Sequence, residues 1–442
     1  MTAIRFLTKS LICLALCCSA SSAYAQASSG AWNKVSLTEL KAGVAEVDIT
    51  PRVGIPLAGY ADRTGPSTGV HDPLKAVAII FDDGQRRATI VSFDTIQLLQ
   101  AEGEALLQAI NQNTGIPAAH VLLNASHTHG APWLSTDEAY RRDVIAKVAA
   151  AVKEAAGKMK PVSIGYGEGA IDFNISRRTL NAQGKAEGKL NPRGAVDRRV
   201  KILRLDEGDA VEPMAVIMHA VCHPNVFRAE NTQISADFVG LAKSFVERSF
   251  NHKTIAMYLQ GPAGDLRSNL PPVGGGYRNG SEADMAWAAY SLGAEAVKGA
   301  AGLRVREKLL ERPKEFKIAA ATDVLRLEPD PQKVKTGRTF PRDRIENGKI
   351  VFPIRALVIG EFLFIGLPGE PVVEYALEIE SDLAPLGKKV FVLGYTAGDV
   401  GYVPVEHMID EGGYEAEGPY WHGTEKAIRE GVKKLVNDMI RK

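Results

Sequence analysis

Cysteine is scarce in this sequence. Only four cysteines occur in 442 residues; three of them lie within the first 25 residues and Cys222 is the fourth. A disulfide needs two cysteines, so residues 26–442 cannot form one among themselves. The stability of this part is therefore expected to come from a hydrophobic core, with metal binding as a further source.

Charge of one sign and long apolar runs are also lacking. Lysine and arginine total 53 against 52 for aspartate and glutamate. No block of like charge indicates a nucleic-acid or anionic-membrane partner. Beyond the first 25 residues no apolar stretch is long enough to cross a membrane, so we expect no stable membrane anchor. The remaining composition, 45% hydrophobic and 24% charged, is typical of a globular protein.

The N-terminus resembles a secretory signal peptide. Arg5 and Lys9 give a basic start, residues 11–20 are apolar, and residues 23–25 read Ala-Tyr-Ala before Gln26. This pattern predicts cleavage after residue 25 and therefore a periplasmic or secreted protein.

Apolar strands and amphipathic helices alternate along the rest of the chain. Strands over 74–81 and 88–93 flank an Asp-Asp-Gly turn, which predicts a hairpin. This mixture predicts an α/β (mixed α+β) layered fold with central mixed β-sheets flanked by helices. We expect a linker over 26–39 and a single catalytic domain over 40–442. Further predictions are helices over 99–111, 137–158, 238–250, 284–298 and from residue 424, strands over 215–221, 255–259, 354–359, 362–367 and 390–393, a turn over 165–169, and a loop over 271–280 that is either a lid or plain surface.

Histidines and acidic residues follow several of these predicted strands. A buried strand at 121–123 is followed by His127 and His129, which strand alternation would place on one face. Such a pair can bind a metal, or one imidazole can bind it while the other moves protons; two surface histidines near a turn is the alternative. His223 and Glu370 follow two later strands, whereas His219 is expected to be a core histidine. Two histidines and a glutamate converging at strand ends are the ligands of many catalytic zinc sites.

Taken in order, the motifs resemble the N-terminal catalytic domain of neutral/alkaline non-lysosomal ceramidases. The resemblance runs from about residue 40 to the C-terminus. It rests on Ala-Gly-Val-Ala-Glu-Val-Asp-Ile-Thr-Pro at 42–51, Gly-Tyr at 59–60, His-Asp-Pro-Leu at 71–74, Ser-His-Thr-His at 126–129, Cys-His-Pro at 222–224, Ile-Ser-Ala-Asp at 234–237, Ala-Gly-Asp at 263–265 and Pro-Gly-Glu at 368–370.

The resemblance implies a zinc-dependent amidohydrolase. Its implied zinc ligands are His127, His223, Glu370 and Tyr402. His129 is the implied proton carrier between a zinc-activated water and the leaving amine, and an arginine, Arg177 rather than Arg178, would stabilise the oxyanion. The other residues that the resemblance assigns to the catalytic site are Asp265, Arg267 and Tyr414, and Asp237 is expected to support a metal ligand.

Two departures from the family pattern bear on the substrate. Where the family has Gly-Asp-x-Ser-Pro-Asn with a catalytically important serine, residues 264–269 read Gly-Asp-Leu-Arg-Ser-Asn, so Arg267 holds the serine position. The chain also ends after its last helix, so the family's C-terminal β-sandwich is expected to be absent. Arg267 would favour a small acyl substrate with an anionic group, unless it pairs with Asp265. An esterase or lactonase acting on a small anionic metabolite, a genuine ceramidase, and a non-catalytic metal-binding protein remain alternatives.

Overall fold

The computed structural model describes residues 33–208, 210–271, 277–305, 317–334, 341 and 344–441. The predicted signal peptide lies outside these ranges, as does half of the predicted loop over 271–280. The first strand begins at Asn33, inside the segment predicted as a linker. Among the described helices, none has the length and apolar character needed to span a membrane.

Strands and helices alternate as the sequence predicts. The helices of the described ranges are α1 (Gln100–Thr114), α2 (Glu138–Gly157), α3 (Asp237–Ser249), α4 (Glu282–Val305), α5 (Glu374–Leu383), α6 (Glu406–Glu411) and α7 (Thr424–Arg441). The strands are β1 (Asn33–Asp48), β2 (Gly69–Val70), β3 (Lys75–Asp82), β4 (Arg87–Phe93), β5 (Val121–Ala125), β6 (Lys160–Ala170), β7 (Asn174–Leu180), β8 (Ala186–Asn191), β9 (Arg199–Glu207), β10 (Ala215–Ala220), β11 (Gln233–Ile234), β12 (Ile255–Gln260), β13 (Leu266–Ser268), β14 (Ile318–Leu327), β15 (Ile345–Glu346), β16 (Lys349–Ile359), β17 (Phe362–Pro368), β18 (Glu370–Pro371), β19 (Lys389–Thr396) and β20 (Tyr402–Val403).

One large mixed sheet forms the centre of the described part of the chain. It has 13 strands, ordered β12-β10-β9-β6-β1-β3-β4-β5-β19-β17-β16-β14, with β15 paired to β16. The predicted hairpin is confirmed, because β3 and β4 pair in antiparallel register. Parallel pairs occur at β4–β5, β10–β12 and β17–β19, so the sheet is mixed as predicted.

The sheet curls until strands that are distant in its order meet. The Asn124 side chain on β5 donates to the Gln260 carbonyl of β12 at 3.2 Å and accepts from the Gln260 N–H at 2.8 Å. The same amide donates to the Gly394 carbonyl of β19 at 2.7 Å. His219 of β10 reaches across to the Val392 carbonyl at 2.9 Å, so it is the buried core histidine that the sequence predicts. The enclosed apolar side chains include Leu122, Leu203, Ile217, Leu259 and Phe391.

Helices pack against three regions of the sheet and form further apolar clusters with it. The first cluster joins α1 and α2 to β3, β4 and β5, the second joins α3 and α4 to β10 and β12, and the third joins α5 and α7 to β16, β17 and β19. The predicted turn over 165–169 is wrong, because these residues lie within β6. The glycines of this segment allow α4 to pack closely against it. A Cβ added at Gly165 would lie 3.0 Å from the Leu303 side chain, and one added at Gly169 would lie 2.4 Å from the Glu295 side chain.

Candidate metal centre and active site

Two buried histidines face each other just beyond the ends of β5 and β10. The Nδ1 of His127 lies 2.6 Å from the Ile96 carbonyl, and that of His223 lies 2.7 Å from the Ala263 carbonyl. A carbonyl oxygen only accepts, so each Nδ1 carries a hydrogen and Nε2 is the atom of each ring that remains for a metal. These two Nε2 atoms are 3.0 Å apart. Two lone pairs aimed at each other in a buried space are what a cation would satisfy.

A carboxylate completes this arrangement. Glu370 Oε2 lies 3.1 Å from His127 Nε2 and 3.4 Å from His223 Nε2, and within the described ranges no other group donates a hydrogen bond to it. Burial opposes ionisation of Glu370, but the two imidazoles lower the pKa of its carboxyl well below its usual range. Burial and the neighbouring His127 lower the pKa of His223 to about 4, so its imidazole is neutral at neutral pH.

The donor set fits a zinc ion. Tetrahedral zinc with Zn–N bonds of about 2.0–2.1 Å holds neighbouring ligand atoms about 3.3 Å apart. The three separations among His127, His223 and Glu370 are close to that value. Tyr402 pairs directly with Glu370 in the parallel β18–β20 ladder, which puts the two side chains on the same face. This register makes Tyr402 available as a fourth ligand.

His129 lies beside this set but is held differently. Its ring is 5.1 Å from that of His127 and 5.4 Å from that of His223, and neither of its buried ring nitrogens has a hydrogen-bond partner among the residues that the structure describes. One ring nitrogen from each of the three histidines lies within 4.8 Å of the corresponding nitrogens of the other two. Burial, and then the neighbouring imidazoles, lower the pKa of His129 well below its usual range. A neutral, unpartnered imidazole can either ligate a metal or accept a proton.

The reason predicted for the pairing of these histidines is wrong. Strand β5 ends at Ala125, and the backbone at His127 has a φ of 68°, so strand alternation does not continue to His129. Two backbone hydrogen bonds position these residues instead. The His127 N–H donates to the Thr95 carbonyl at 3.0 Å, and the His129 N–H donates to the Pro224 carbonyl at 3.1 Å.

Arg177 and Arg178 share one carboxylate and face different surroundings. Arg177 donates to Glu415 at 2.8 Å and to the Gly264 carbonyl at 2.6 Å, and its guanidinium lies 5.3 Å from the Tyr402 ring and 5.6 Å from the Tyr414 ring. Arg178 donates to Glu415 at 2.6 Å and is turned toward the end of α6. Arg177 is therefore the arginine on the tyrosine side of the site.

Asp265 and Arg267 do not form the ion pair that was the alternative for Arg267. Asp265 is fully buried and accepts the Val373 N–H at 2.8 Å, so it supports the segment after Glu370. The Arg267 guanidinium stacks on the Tyr277 ring at 3.8 Å, and this side chain is 4% exposed.

The prediction that Asp237 supports a metal ligand is wrong. Its carboxylate accepts the N–H groups of Phe227 at 3.3 Å and Phe238 at 2.8 Å. The backbone carbonyls that orient His127 and His223 take this role instead. A carbonyl partner leaves no signal in the sequence, whereas a carboxylate partner would.

A cavity of about 440 Å³ opens onto the histidines. Tyr414 lies at its wall and is 51% exposed, whereas Tyr402 is buried. The charged side chains in its wall are carboxylates. The lining residues, among those that the structure describes, are Pro56, Leu57, Ala58, Gly59, Tyr60, Ala61, Ile96, Gln97, His127, His129, Trp133, Thr136, Glu370, Asp399, Gly401, Tyr402 and Tyr414.

Three residues of this region escape assignment from the sequence. The Tyr60 ring lies 4.7 Å from that of His129. The Tyr395 ring stacks on His127 at 4.2 Å and its φ is 50°. Its buried hydroxyl has no hydrogen-bond partner in the part of the chain that the structure describes. Burial raises the pKa of Asp399, a lining residue, to about 6. The Gly-Tyr pair at 59–60 is a sequence signal for Tyr60. A tyrosine in a strand gives no signal of an unusual backbone conformation, so Tyr395 could not be identified in this way.

Comparison with known proteins adds a family and a fold. A family model described as neutral/alkaline non-lysosomal ceramidase, N-terminal, matches residues 40–286, which is more than half of the chain. This range contains the three clustered histidines and ends before Glu370. Neutral ceramidase B of Dictyostelium discoideum is 26% identical over 253 residues, covering 52% of this chain and 35% of that protein. The match thus spans about a third of the length of this relative.

Two solved structures share the fold over nearly all of the chain. Neutral ceramidase from Pseudomonas aeruginosa superposes with a TM-score of 0.72 at 18% identity, covering 90% of this chain and 74% of that one. A ceramidase complexed with C2 gives a TM-score of 0.73 at 18% identity, covering 91% and 75%. At this identity the likeness shows a common fold.

Proposed function

The chain belongs to the neutral/alkaline non-lysosomal ceramidase family, and from this premise we propose that it is an exported zinc-dependent hydrolase that cleaves the amide bond of an N-acyl substrate. The observation that carries the proposal is the meeting of two histidine Nε2 atoms and the Glu370 carboxylate at the end of a cavity. Export rests on the signal-peptide pattern of the first 25 residues.

We assign the metal to His127, His223 and Glu370, with Tyr402 as the fourth ligand. When bound, zinc supplies Lewis-acid chemistry, which lowers the pKa of a water toward neutrality and polarises an acyl carbonyl. The carbonyls of Ile96 and Ala263 hold both imidazoles in the tautomer that leaves Nε2 free. The protein therefore orients the Nε2 atom of each ligand toward the metal position.

His129 is assigned to proton transfer. Its neutral ring lies beside the ligand set, has no competing hydrogen bond and lines the cavity. It would accept a proton from the attacking water and return it to the leaving amine. Such a residue contributes about 10²- to 10⁴-fold to turnover.

Arg177 is assigned to the developing negative charge on the acyl oxygen. Glu415 and the Gly264 carbonyl fix its guanidinium from behind, and the Tyr402 and Tyr414 rings lie in front of it. A cation fixed before the reaction stabilises an oxyanion without reorganisation. Tyr414, the more exposed of the two tyrosines, would contact the substrate at the cavity wall.

The test combines metal analysis with turnover. Purified protein should hold about one zinc per chain and hydrolyse an N-acyl amide; ceramides come first because the relatives are ceramidases by name. The ligand variants His127→Ala, His223→Ala and Glu370→Ala should lose zinc, because an incomplete set binds weakly. The variant His129→Ala should keep zinc and lose about 10²- to 10⁴-fold in kcat.

His120→Ala is the matched control, since this histidine contacts the Arg87 carbonyl at the surface. Full zinc content in all three ligand variants would refute the assigned site. Loss of zinc in His129→Ala would make that residue a ligand. Matched ester and amide substrates separate an amidohydrolase from an esterase or lactonase, and zinc without turnover on either would indicate a metal-binding protein.

A further inference from the structure

Three arginines surround two tyrosines next to the histidine cluster. The guanidinium carbons of Arg63 and Arg228 lie 5.2 and 5.8 Å from the Tyr60 ring, and Tyr60 in turn contacts His129. Tyr277 carries Arg267 on its ring at 3.8 Å, with Arg228 at 5.8 Å. Arg228 and Arg267 thus flank one aromatic ring.

These arginines lack the carboxylate partners that neutralise the others nearby. In the part of the chain that the structure describes, no ion pair joins Arg63, Arg228 or Arg267 to an aspartate or glutamate. Arg63 is held by the carbonyls of Ala58 and His129, which carry no charge. By contrast, Arg177 and Arg178 both pair with Glu415.

The acidic groups facing the cluster do not cancel its charge. Asp237 acts on Tyr60, but its oxygens accept the N–H groups of Phe227 and Phe238, and burial raises the pKa of its carboxyl to about 7. Asp62 precedes Arg63 and acts on it through space without forming an ion pair. Like charges gathered at a half-buried place are unfavourable unless something anionic binds there.

We propose that Arg228 and Arg267 bind an anionic group, a carboxylate or phosphate, that belongs to the acyl substrate itself. This inference rests on the proposed function, because it places the reacting acyl group at the histidines. Guanidinium groups suit this task since their paired N–H donors match both anions.

The position of the arginines limits the substrate further. Arg228 lies 5.8 Å from the ring of Tyr60, a residue of the cavity lining, whose own charged side chains are the carboxylates of Glu370 and Asp399. The anion would therefore be separated from the scissile amide by a short chain that passes Tyr60. A neutral two-chain lipid offers no group for this place.

The experiment compares two N-acyl amides that differ only in a terminal carboxylate or its carboxamide. Wild type should prefer the carboxylate by about 10- to 150-fold in kcat/KM, the range for charge-assisted hydrogen bonds. The preference should appear in KM, because the anion contacts the protein equally before and during reaction. Arg228→Gln and Arg267→Gln should each reduce it, Arg228→Lys should retain part of it, and Arg248→Gln on the surface of α3 should not change it.

A direct binding measurement separates this inference from the proposed function. Inorganic phosphate titrated into the wild type by calorimetry should bind, and Arg228→Gln should abolish the signal; this result supports the anion site even if no acyl substrate is hydrolysed. Arg228 is only half-buried, so its variant tests the site if the buried Arg267 variant does not fold. Equal kcat/KM for the two amides with no phosphate binding would overturn the inference. So would a preference that both variants leave intact, or stimulation by anionic vesicles without any preference among monomeric amides.

Discussion

Gly264 lies between the backbone of Glu370 and Pro371 and the side chain of Arg177. Replacing it should weaken metal binding although no ligand side chain is changed. Its N–H donates to the Pro371 carbonyl at 2.9 Å, and its own carbonyl accepts from Arg177 at 2.6 Å. A Cβ at this position would lie 2.4 Å from the Glu370 carbonyl oxygen and 3.0 Å from that of Pro371. Ordinary contact begins at 3.4 Å and real Cβ atoms essentially never come under 3.0 Å, so the two backbones must separate by about 0.6–1.0 Å.

The expected cost follows from that displacement. A shift of 1 Å in a catalytic group costs about 10²-fold in rate, and disturbed support of a ligand costs about 10- to 100-fold in metal affinity. Gly264→Ala should therefore bind zinc about 10- to 100-fold more weakly and, at saturating zinc, lose about 10²-fold in kcat/KM. The φ of Gly264 is not positive, so backbone strain does not contribute.

Zinc affinity is measured by competition with a chromogenic chelator, and kcat/KM on the best N-acyl amide. The control is Gly302→Ala within α4, where an added Cβ meets nothing within 4 Å and alanine favours the helix by about 0.5–1 kcal/mol. Wild-type zinc affinity in Gly264→Ala would refute the reasoning, because the ligand would then tolerate the displacement.

Two further predictions concern residues around the site. The pKa of His71 is raised to about 9 by its hydrogen bond to Asp72, against burial and with help from Glu282; a raised folded-state value stabilises the protein fully below about pH 6.5 and loses that contribution as pH rises toward 9. His71→Gln should therefore flatten the fall in unfolding free energy between pH 6.5 and 9.5, measured by chemical denaturation, and an unchanged slope would contradict this. The buried Tyr395 hydroxyl has no partner among the described residues, so Tyr395→Phe should preserve or raise the melting temperature. A fall in kcat in that variant would show that the reaction uses the hydroxyl, whereas a lower melting temperature would show a missing hydrogen-bond partner.

The order of strands and helices could be predicted from the sequence because apolar periodicity and turn residues are local signals. The hairpin of β3 and β4 and the final helix α7 are examples. The curl of the sheet could not, because strands distant in its order are joined by single side chains, such as those of Asn124 and His219, whose contacts leave no local signal.

The same distinction holds for the site. His127, His223 and Glu370 stand out as polar residues after apolar strands, and their proximity follows from strand ends meeting. The surroundings of Arg267 could not be predicted, because Tyr277 reaches it from a loop and no local pattern marks that contact. Nor could the partners of His127 and His223, since every residue has a carbonyl oxygen.

The curl of the sheet brings the two candidate histidine ligands from opposite sides of a gap. His127 follows β5, whereas His223 follows β10, which is paired with the edge strand β12. Between β5 and β12 no ladder of backbone hydrogen bonds is described, and a single asparagine side chain bridges them. An ion bound by both histidines would cross-link the two sides of this gap. It would join the edge of the sheet at β10 and β12 to its middle at β5. Removal of the ion by a chelator would then weaken the connection between the two sides of the curled sheet as well as remove the metal from the candidate active site.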